Sequence, residues 1–268
     1  MMEPFQFRQG GVPLLVSIPH VGTHVPPDIA ARMTPAALAL PDTDWHLDRL
    51  YDFLGDLGAS VLTATHSRYV VDLNRPPDDA SLYPGQDVTG LVPLDTFARA
   101  PVYAGPLPNR DEVAARREGW WRPYHERLAA ELARLREEHG YALLWDAHSI
   151  ASEVPRFFPG RLPDFNLGTG GGTAADASLA AALFAAAESA QGYTAVLNGR
   201  FKGGYITRRY GDPANKVHAV QLELVQATYM DEAPPYPFDE GRARKVRPHL
   251  RRLLETLIAW GREHLARG

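Results

Sequence analysis

The sequence contains no cysteine and no apolar run long enough to cross a membrane. The lack of cysteine excludes disulfide bonds, thiolate metal sites and a cysteine nucleophile, and it fits a reducing compartment. A membrane-spanning helix needs roughly 18 or more apolar residues in a row. The first residues, MMEPFQFRQGG, also lack the basic-then-apolar order of a secretory signal. We therefore expect a cytoplasmic protein.

The chain also has little excess charge of either sign. Its 268 residues carry a net charge of -4, which gives no basic surface for nucleic acid or for an anionic membrane. With 45% hydrophobic residues the chain can bury one substantial core. Because it has no internal repeat and no clean linker, we expect a single domain over residues 1–268.

Strand-like and helix-like segments alternate along the chain, which predicts an α/β fold with a mixed or largely parallel sheet. The predicted strands cover 13–19, 60–74 (one bent strand or a hairpin), 141–147, 193–198 and 217–225. The predicted helices cover 42–58, 110–138 with a kink at Pro123, 174–190 and 241–268. The stretch GTGGGT at 168–173 is expected to be loop, because no strand is predicted directly before it. The Pro- and Gly-rich stretch 75–109 exceeds the usual loop length, which indicates a functional loop that could close over a site.

Reactive side chains follow or end three of the predicted strands. His20 follows LLVSIP, Asp146 and His148 end YALLWDAH, and Glu223 lies in AVQLELV. In open α/β sheets ligands bind beyond the carboxyl ends of the strands, so these side chains are expected to converge. Neutral imidazole is a common metal ligand, and a catalytic zinc site uses three protein ligands. The pattern therefore favours a metal site with His20 and His148.

The third ligand is open on this evidence. The segment DTDWHLD offers His46 and Asp44, but His46 could equally pack as a helix residue beside Leu50, and Asp44 could face a helix dipole. Glu223 needs a partner because an unpaired buried carboxylate is costly. An arginine salt bridge and a general base beside an activated water both meet that need. The remaining histidines are taken as structural or surface residues: His24, His66, His125, His139, His218, His249 and His264.

Two clusters of basic and polar residues suit a substrate with two carboxylates. The first, SRYVVDLNRPPDD, supplies Arg68, Asp72, Asn74 and Arg75; the second, GRFKGGYITRRYGDP, supplies Arg200, Lys202, Arg208 and Arg209. Arginine pairs with carboxylates through two parallel hydrogen bonds. For Lys202 and Arg209 we prefer a solvated surface position.

Five stretches together resemble the N-formylglutamate amidohydrolase family: DTDWHLDRLYDF, SRYVVDLNRPPDDASLYPGQ, LLWDAHSI, NGRFKGGYITRRYG and HAVQLELVQATYM. The resemblance implies hydrolysis of N-formyl-L-glutamate to formate and L-glutamate, the last step of a bacterial histidine-degradation route. It also implies a three-layer α/β/α fold with a mixed central sheet, similar to zinc-dependent exopeptidases.

The resemblance also implies roles for individual residues. His20 and His148 match metal-binding positions; His46 is the preferred third ligand and Asp44 the reserve. An exopeptidase-like HxxE pair is absent, because Thr23 stands where the glutamate would be. The ion is expected to be zinc, with cobalt or manganese as alternatives.

The remaining roles concern catalysis and substrate binding. Glu223 is expected to be the general base and Arg75 or Arg208 the oxyanion stabiliser. The other arginines, Arg68 and Arg200 among them, would bind the substrate carboxylates with Asn74 as a polar helper. Asp146 is better suited to orienting an imidazole than to binding metal, although direct ligation is open.

Three alternatives differ in chemistry. WDAHSI resembles the DxHxD signature of ureohydrolases, but Ile150 stands where the second aspartate would be. A related amidohydrolase acting on another N-acyl acidic amino acid would use the same residues. A binding module for such molecules would not need Glu223. Ser149 is not expected to be a nucleophile, because no GxSxG turn surrounds it. In every case the expected partner is a small molecule.

Overall fold

The computed structural model describes residues 2–81, 85 and 87–266. All seven strands of the described residues belong to one sheet. They are β1 (Phe5–Arg8), β2 (Leu14–Ile18), β3 (Ser60–Ala64), β4 (Ala142–Ile150), β5 (Phe165–Gly168), β6 (Ala195–Leu197) and β7 (Val217–Val225).

The sheet is mixed, in the order β1-β3-β2-β4-β7-β5-β6. Its centre is parallel: β3, β2, β4 and β7 run in one direction. The strand β1 is antiparallel to β3, and β5 is antiparallel to β7. Every residue of β2, β4, β5 and β7 is buried, which agrees with the largely apolar sequences of these strands.

The helices are α1 (Pro27–Ala30), α2 (Pro35–Leu38), α3 (Leu47–Leu50), α4 (Arg110–Arg116), α5 (Arg122–His139), α6 (Ala177–Glu188), α7 (Tyr205–Tyr210) and α8 (Glu240–His264). A π-helical turn, Arg117–Trp121, joins α4 to α5. Short 3-10 helices cover Asp52–Leu54, Pro213–Asn215 and Gln226–Thr228.

Side chains on the two faces of the sheet pack into two separate cores. One face packs Trp145 and Leu222 against residues of α6 and α8. The other packs Leu15 and Leu144 against residues of α5. Successive residues of a strand point to opposite faces, so each buried strand contributes to both cores. The result is the predicted three-layer α/β/α arrangement with a mixed central sheet, which is confirmed.

The long, strongly patterned elements also match the sequence prediction. The strands β2, β4 and β7 fall within or close to their predicted ranges. The helices α6 and α8 correspond to the predicted helices 174–190 and 241–268 and are slightly shorter. The described helices include none that is both long and apolar enough to cross a bilayer.

The predicted helix over 42–58 is wrong in extent. Only α3 and one 3-10 turn form there, and residues 42–46 are loop. His46 adopts a left-handed backbone conformation with φ of 60°, which a helix cannot contain. The apolar spacing was nevertheless informative, because Leu47, Leu50 and Leu54 are buried. The interruption turns the preceding residues toward the edge of the sheet.

Two other predicted elements are broken. Over 60–74 only β3 is a strand, and the rest continues as turns. The helix predicted over 110–138 is interrupted by the π-helical turn before Pro123. Proline has no N–H and its ring clashes with the preceding turn, so the local rearrangement at this point is expected.

Five short strands and α-helices were not predicted: β1, β5, α1, α2 and α7. The strand β5 ends at Gly168, so the reason given for treating 168–173 as loop was wrong, although residues 169–176 do form turns. The predicted long loop 75–109 contains no helix or strand among its described residues, and residues 82–84 and 86 lie outside the described part.

Candidate active site

The carboxyl ends of β2, β4 and β7 lie side by side, because these three parallel strands are neighbours. His20 follows β2 by two residues, and His148 lies near the end of β4. Glu223 is directly opposite His148 on β7. The prediction that the strand-end residues converge therefore agrees with the structure.

His20, Asp44 and His148 form a compact buried cluster. One potential ligand atom from each lies within 4.8 Å of the others. The Nδ1 atom of His148 is 3.0 Å from Oδ2 of Asp44, and Nδ1 of His20 is 3.8 Å from the same oxygen. The backbone N–H of Asp44 donates to the carbonyl of His20, which fixes the loop against the strand end.

His46, the preferred third ligand in the sequence, is not brought to this cluster. Its Nε2 atom lies 2.8 Å from the carbonyl oxygen of Tyr236, and its ring packs beside Phe238. The left-handed turn at His46 sends its side chain away from Asp44. The structure thus corrects the prediction: Asp44, the reserve choice, occupies the third position.

Each histidine of the cluster has a carboxylate behind it. Oδ1 of Asp72 lies 2.8 Å from Nε2 of His20, and Oδ1 of Asp146 lies 3.2 Å from Nε2 of His148. Such carboxylates fix the orientation of metal-binding imidazoles and make them better donors. Both rings therefore present Nδ1 toward Asp44, and Asp146 takes the orienting position that the sequence favoured.

The surroundings of Asp146 fit a cation at the cluster. Its Oδ1 atom is buried and accepts no hydrogen bond from the residues that the structure describes, while Oδ2 accepts one from Thr207. When Nδ1 of an imidazole binds a cation, the proton resides on Nε2. The Oδ1 atom lies 3.2 Å from Nε2 of His148, so the Asp146 carboxylate would balance the charge of a proton held there. Two imidazole nitrogens and one carboxylate are also a common donor set for zinc.

The charges of the cluster favour an added cation. Burial lowers the pKa of His148, but Asp146 and Asp44 outweigh burial and hold the pKa well above its ordinary value. Burial and the nearby Arg68 lower the pKa of His20. Several carboxylates thus lie close together in a buried site, where nearby positive charge stabilises them. A divalent ion contributes more positive charge there than a single proton.

Glu223 combines burial with basicity. It is 8% exposed and lies at the end of the parallel strands beside His148. Burial, together with the nearby Asp44 and Asp146, raises the pKa of its carboxyl to about 8 against the opposing charges of His148 and Arg68. A carboxyl group with a pKa near neutrality can both accept and return a proton, which suits a general base.

These groups open onto a small cavity with an accessible volume of about 70 Å³. Its apolar wall contains Phe97, Phe157 and Phe201, which come from three different loops. Its polar lining includes the cluster, Glu223 and several cationic side chains. A small acidic ligand would therefore find charge partners at the floor and apolar surfaces at the side.

Three of the four predicted arginines line the cavity, and the structure gives each a different support. The guanidinium of Arg68 pairs with Asp72 at 2.7 Å and stacks over Phe97. Arg75 donates through Nε to the carbonyl of Thr89. Arg200 donates through Nε to the carbonyl of Phe157 and lies over that ring. Arg75 also donates through its two terminal nitrogens, to the carbonyl of Asn74 and to the hydroxyl of Thr89, so its guanidinium is held at the edge of the cavity.

Arg208 differs from the other three. Its Nε donates to the carbonyl of Gly203 at 2.8 Å, and it is not among the described residues that line the cavity. Asn74 does line the cavity, but its carbonyl oxygen accepts from the backbone of Ile206 and its Nδ2 lies 3.0 Å from Nε2 of His148. Asn74 thus connects the start of α7 to the histidine cluster.

Ser149 has no partner suited to nucleophilic catalysis. Its hydroxyl accepts from the hydroxyl of Tyr229 at 2.8 Å and from the amide of Gln226. Neither group is a base at neutral pH. Its backbone N–H donates to Asp44, so this residue contributes to holding the cluster.

Sequence reasoning assigned no role to several residues of the site. Asp72 was noticed only as part of a polar stretch, and Gln221 was not considered. The two-residue spacing of Gln221 and Glu223 places both on one face of β7, a signal that could have identified Gln221. The three phenylalanines of the wall come from irregular loops, and no periodic pattern marks them.

Comparisons with known proteins agree with this geometry. The model of a family described as N-formylglutamate amidohydrolase matches residues 12–230. The chain belongs to this family. It is 55% identical to an N-formylglutamate deformylase of Pseudomonas aeruginosa, over 99% of this chain and all of that protein. A second N-formylglutamate deformylase, from Pseudomonas putida, is 51% identical over the full length of both chains.

A solved structure is similar to this chain in fold as well. The crystal structure of an N-formylglutamate amidohydrolase from Ralstonia eutropha JMP134 superposes with a TM-score of 0.84. The two chains are 26% identical, and the match covers 98% of this chain and 99% of that one. The structural similarity to an N-formylglutamate amidohydrolase therefore covers the whole sheet that carries the cluster.

Proposed function

We propose that the protein hydrolyses N-formyl-L-glutamate to formate and L-glutamate with the help of a divalent metal ion. The observation that carries the proposal is the buried cluster of His20, Asp44 and His148 beside Glu223, at the floor of a cavity lined by arginine. Full-length identity of 55% to a protein named N-formylglutamate deformylase supports the choice of substrate.

The metal would be held by Nδ1 of His20, a carboxylate oxygen of Asp44 and Nδ1 of His148. The chemistry supplied there by a divalent ion is polarisation of the formyl carbonyl and a lower pKa for the attacking water. Asp72 and Asp146 keep both imidazoles oriented through their Nε2 atoms. Zinc suits this donor set best, and cobalt or manganese can replace it.

Glu223 moves the protons. As the carboxylate it accepts a proton from water that attacks the formyl carbon, and it then delivers that proton to the departing amino nitrogen of glutamate. Its position opposite His148 keeps the carboxyl next to the cluster during both transfers. Burial raises the pKa of Glu223 to about 8, which strengthens the carboxylate as the base in the first transfer.

Arginines recognise the two carboxylates of the substrate. Arg75 and Arg200 reach the cavity from opposite loops, and each is braced through Nε by a backbone carbonyl. Arg75 also lies next to Asn74 in the chain, near the cluster, and is our candidate for stabilising the developing oxyanion. Arg68 is committed to Asp72 and contributes positive charge to the cavity wall.

The proposal is tested by measuring formate release from N-formyl-L-glutamate and from N-formyl-L-norvaline, which lacks the side-chain carboxylate, and by measuring hydrolysis of N-acetyl-L-glutamate. We expect N-formyl-L-glutamate to give the highest kcat/KM, with activity lost on chelation and restored by added zinc, cobalt or manganese. Acetate release is the matched measurement for the acetyl substrate.

Three results would contradict the proposal. Full activity in metal-free protein would remove the ion from the mechanism, and a preference for another acyl group would shift the substrate to a different N-acyl amino acid. Binding of N-formyl-L-glutamate without any turnover would favour a binding module. The histidine-degradation step and the cytoplasmic location stay predictions.

A further inference from the structure

Gln221 lies between Glu223 and the segment that leads into α7. It is buried and lines the cavity, two residues before Glu223 on the same face of β7. Its Nε2 donates to Oε2 of Glu223 at 3.3 Å. Its Oε1 accepts from the backbone N–H of Gly204 at 2.7 Å. The side chain therefore bridges the proposed base and a loop backbone.

The hydrogen bond from Gly204 settles which end of the amide faces Glu223. A backbone N–H can only donate, so the atom it meets must be the carbonyl oxygen of Gln221. The amide nitrogen then has to face the carboxylate. A flipped amide would set two donors against each other at Gly204 and two acceptors at Glu223. Gln221 consequently holds Glu223 in one orientation.

A neutral donor suits a base better than a charged one. Among the described residues, Gln221 makes the one hydrogen bond given to the carboxylate of Glu223. An arginine or lysine in this place would fix the carboxylate equally well, but its charge would lower the pKa and weaken the base. An amide supplies direction while leaving the carboxylate basic.

The other end of the bridge belongs to the wall of the cavity. Gly204 closes the stretch 200–204, which includes Arg200 and Phe201. A side chain at Gly204 would meet the amide of Asn74 at 2.3 Å, so the backbone approaches closely here and only glycine fits. The stretch that carries a proposed substrate arginine is thus attached to the residue that aims the base.

We propose that Gln221 is a positioning residue that aims the carboxylate of Glu223 and couples it to the 200–204 stretch. The inference rests on the proposed function of Glu223 as the base. When a substrate carboxylate binds Arg200, the motion of the 200–204 stretch is restricted. Through its two hydrogen bonds Gln221 then restricts the carboxylate of Glu223 as well.

Two variants remove the donor to Glu223 in different ways. Gln221→Met keeps most of the volume and loses both hydrogen bonds. Gln221→Glu keeps an acceptor for Gly204 but sets a second carboxylate against Glu223. Misaiming a reacting group by about 1 Å costs on the order of 100-fold. We expect kcat to fall by about 10- to 100-fold in both variants, with KM and bound metal per chain unchanged within about threefold.

A double-mutant cycle with Glu223→Gln separates positioning from general damage. If Gln221 acts through Glu223, then adding Gln221→Met to Glu223→Gln lowers the residual kcat no further. A merely structural role predicts that the two losses multiply. Melting temperature and metal content identify any variant that has not folded, and Gln221→Glu supplies the same cycle if Gln221→Met is unstable.

Asn198→Asp is the matched control. Its amide oxygen also accepts backbone N–H groups, from Thr169 and Gly171, and its Nδ2 also donates to a side chain, that of Thr169. Asn198 does not line the cavity. This variant should keep kcat within about twofold. Wild-type kcat in both Gln221 variants, or multiplying losses in the cycle, would overturn the inference. An inactive wild-type protein would instead overturn the proposed function.

Discussion

Two pairs of histidines in this protein have nearly the same ring separation and very different surroundings. The ring centroids of His20 and His148 are 4.9 Å apart, and those of His24 and His66 are 4.8 Å apart. Three carboxylates contact the first pair: Asp44, Asp72 and Asp146. Among the described residues no carboxylate is hydrogen-bonded to the second pair. His66 instead contacts the hydroxyl of Thr65 and the ring of Trp120.

The carboxylates give the two pairs opposite electrostatics. Asp146 and Asp44 hold the pKa of His148 well above its ordinary value despite burial. Burial and the neighbouring His24 lower the pKa of His66 to about 4. The first pair attracts positive charge and the second repels it. Proximity of imidazoles alone therefore does not make a metal site; the acidic residues around them decide.

The largest effect is expected from removing one histidine of each pair. His148→Ala should reduce bound metal from one ion per chain to a small fraction and lower kcat/KM by on the order of 1,000-fold, because Lewis-acid catalysis contributes several kcal/mol. His66→Ala should leave bound metal unchanged. Metal content by mass spectrometry and formate release measure both.

Asp44→Asn and the preferred sequence alternative His46→Ala sharpen the same comparison. The first should lose metal as His148→Ala does, since an amide oxygen is a weaker ligand than a carboxylate. The second should retain it. Loss of metal in His46→Ala with retention in Asp44→Asn would reverse the assignment of the third ligand.

An intermediate effect is expected at Glu223, which stands beside the first pair and has no counterpart beside the second. Glu223→Gln keeps the shape and hydrogen bonding of the side chain but removes the base. We expect kcat to fall by about 100-fold or more with KM nearly unchanged, which is the usual scale for losing a general base. Steady-state kinetics measure both constants, and Glu153→Gln, an exposed glutamate outside this cavity, serves as the control.

The smallest effect is expected in the acid stability of the second pair. The pKa of His66 lies at about 4 in the folded protein and near 6.5 when unfolded. The unfolded chain therefore takes up the proton first, so the stability contributed by neutral His66 is full above pH 6.5 and is lost as the pH falls toward 4. The free energy of unfolding of the wild type should fall by roughly 1–2 kcal/mol more than that of His66→Gln over this window. Denaturant titrations of both proteins at pH 7 and pH 4.5 measure the difference. If the free energy of unfolding changes equally with pH in the wild type and in His66→Gln, then His66 does not titrate as described.

The sequence predicted best where periodicity and strand ends coincide. Parallel β2, β4 and β7 were readable as apolar runs, and the rule for ligand position at their carboxyl ends correctly brought His20, His148 and Glu223 together. A residue at the end of a buried strand has few places to point, so its position follows from topology.

Loop residues of the site were harder to predict. Asp44 and His46 are two residues apart, and only the left-handed backbone at His46 decides which of them faces the cluster. That conformation depends on tertiary contacts, among them the hydrogen bond between His46 and the carbonyl of Tyr236, far along the chain. Arg208 lies on an unpredicted short helix, α7, and is not among the described residues that line the cavity.

The cluster draws on widely separated parts of the chain: His20, Asp44 and His148. In the unfolded chain these three donors are far apart, so the unfolded state would bind the ion much more weakly than the native state. Its binding free energy is then added directly to the stability of the fold. Part of the thermal stability of the protein would then depend on the concentration of free ion. A low concentration would favour unfolding as well as loss of activity.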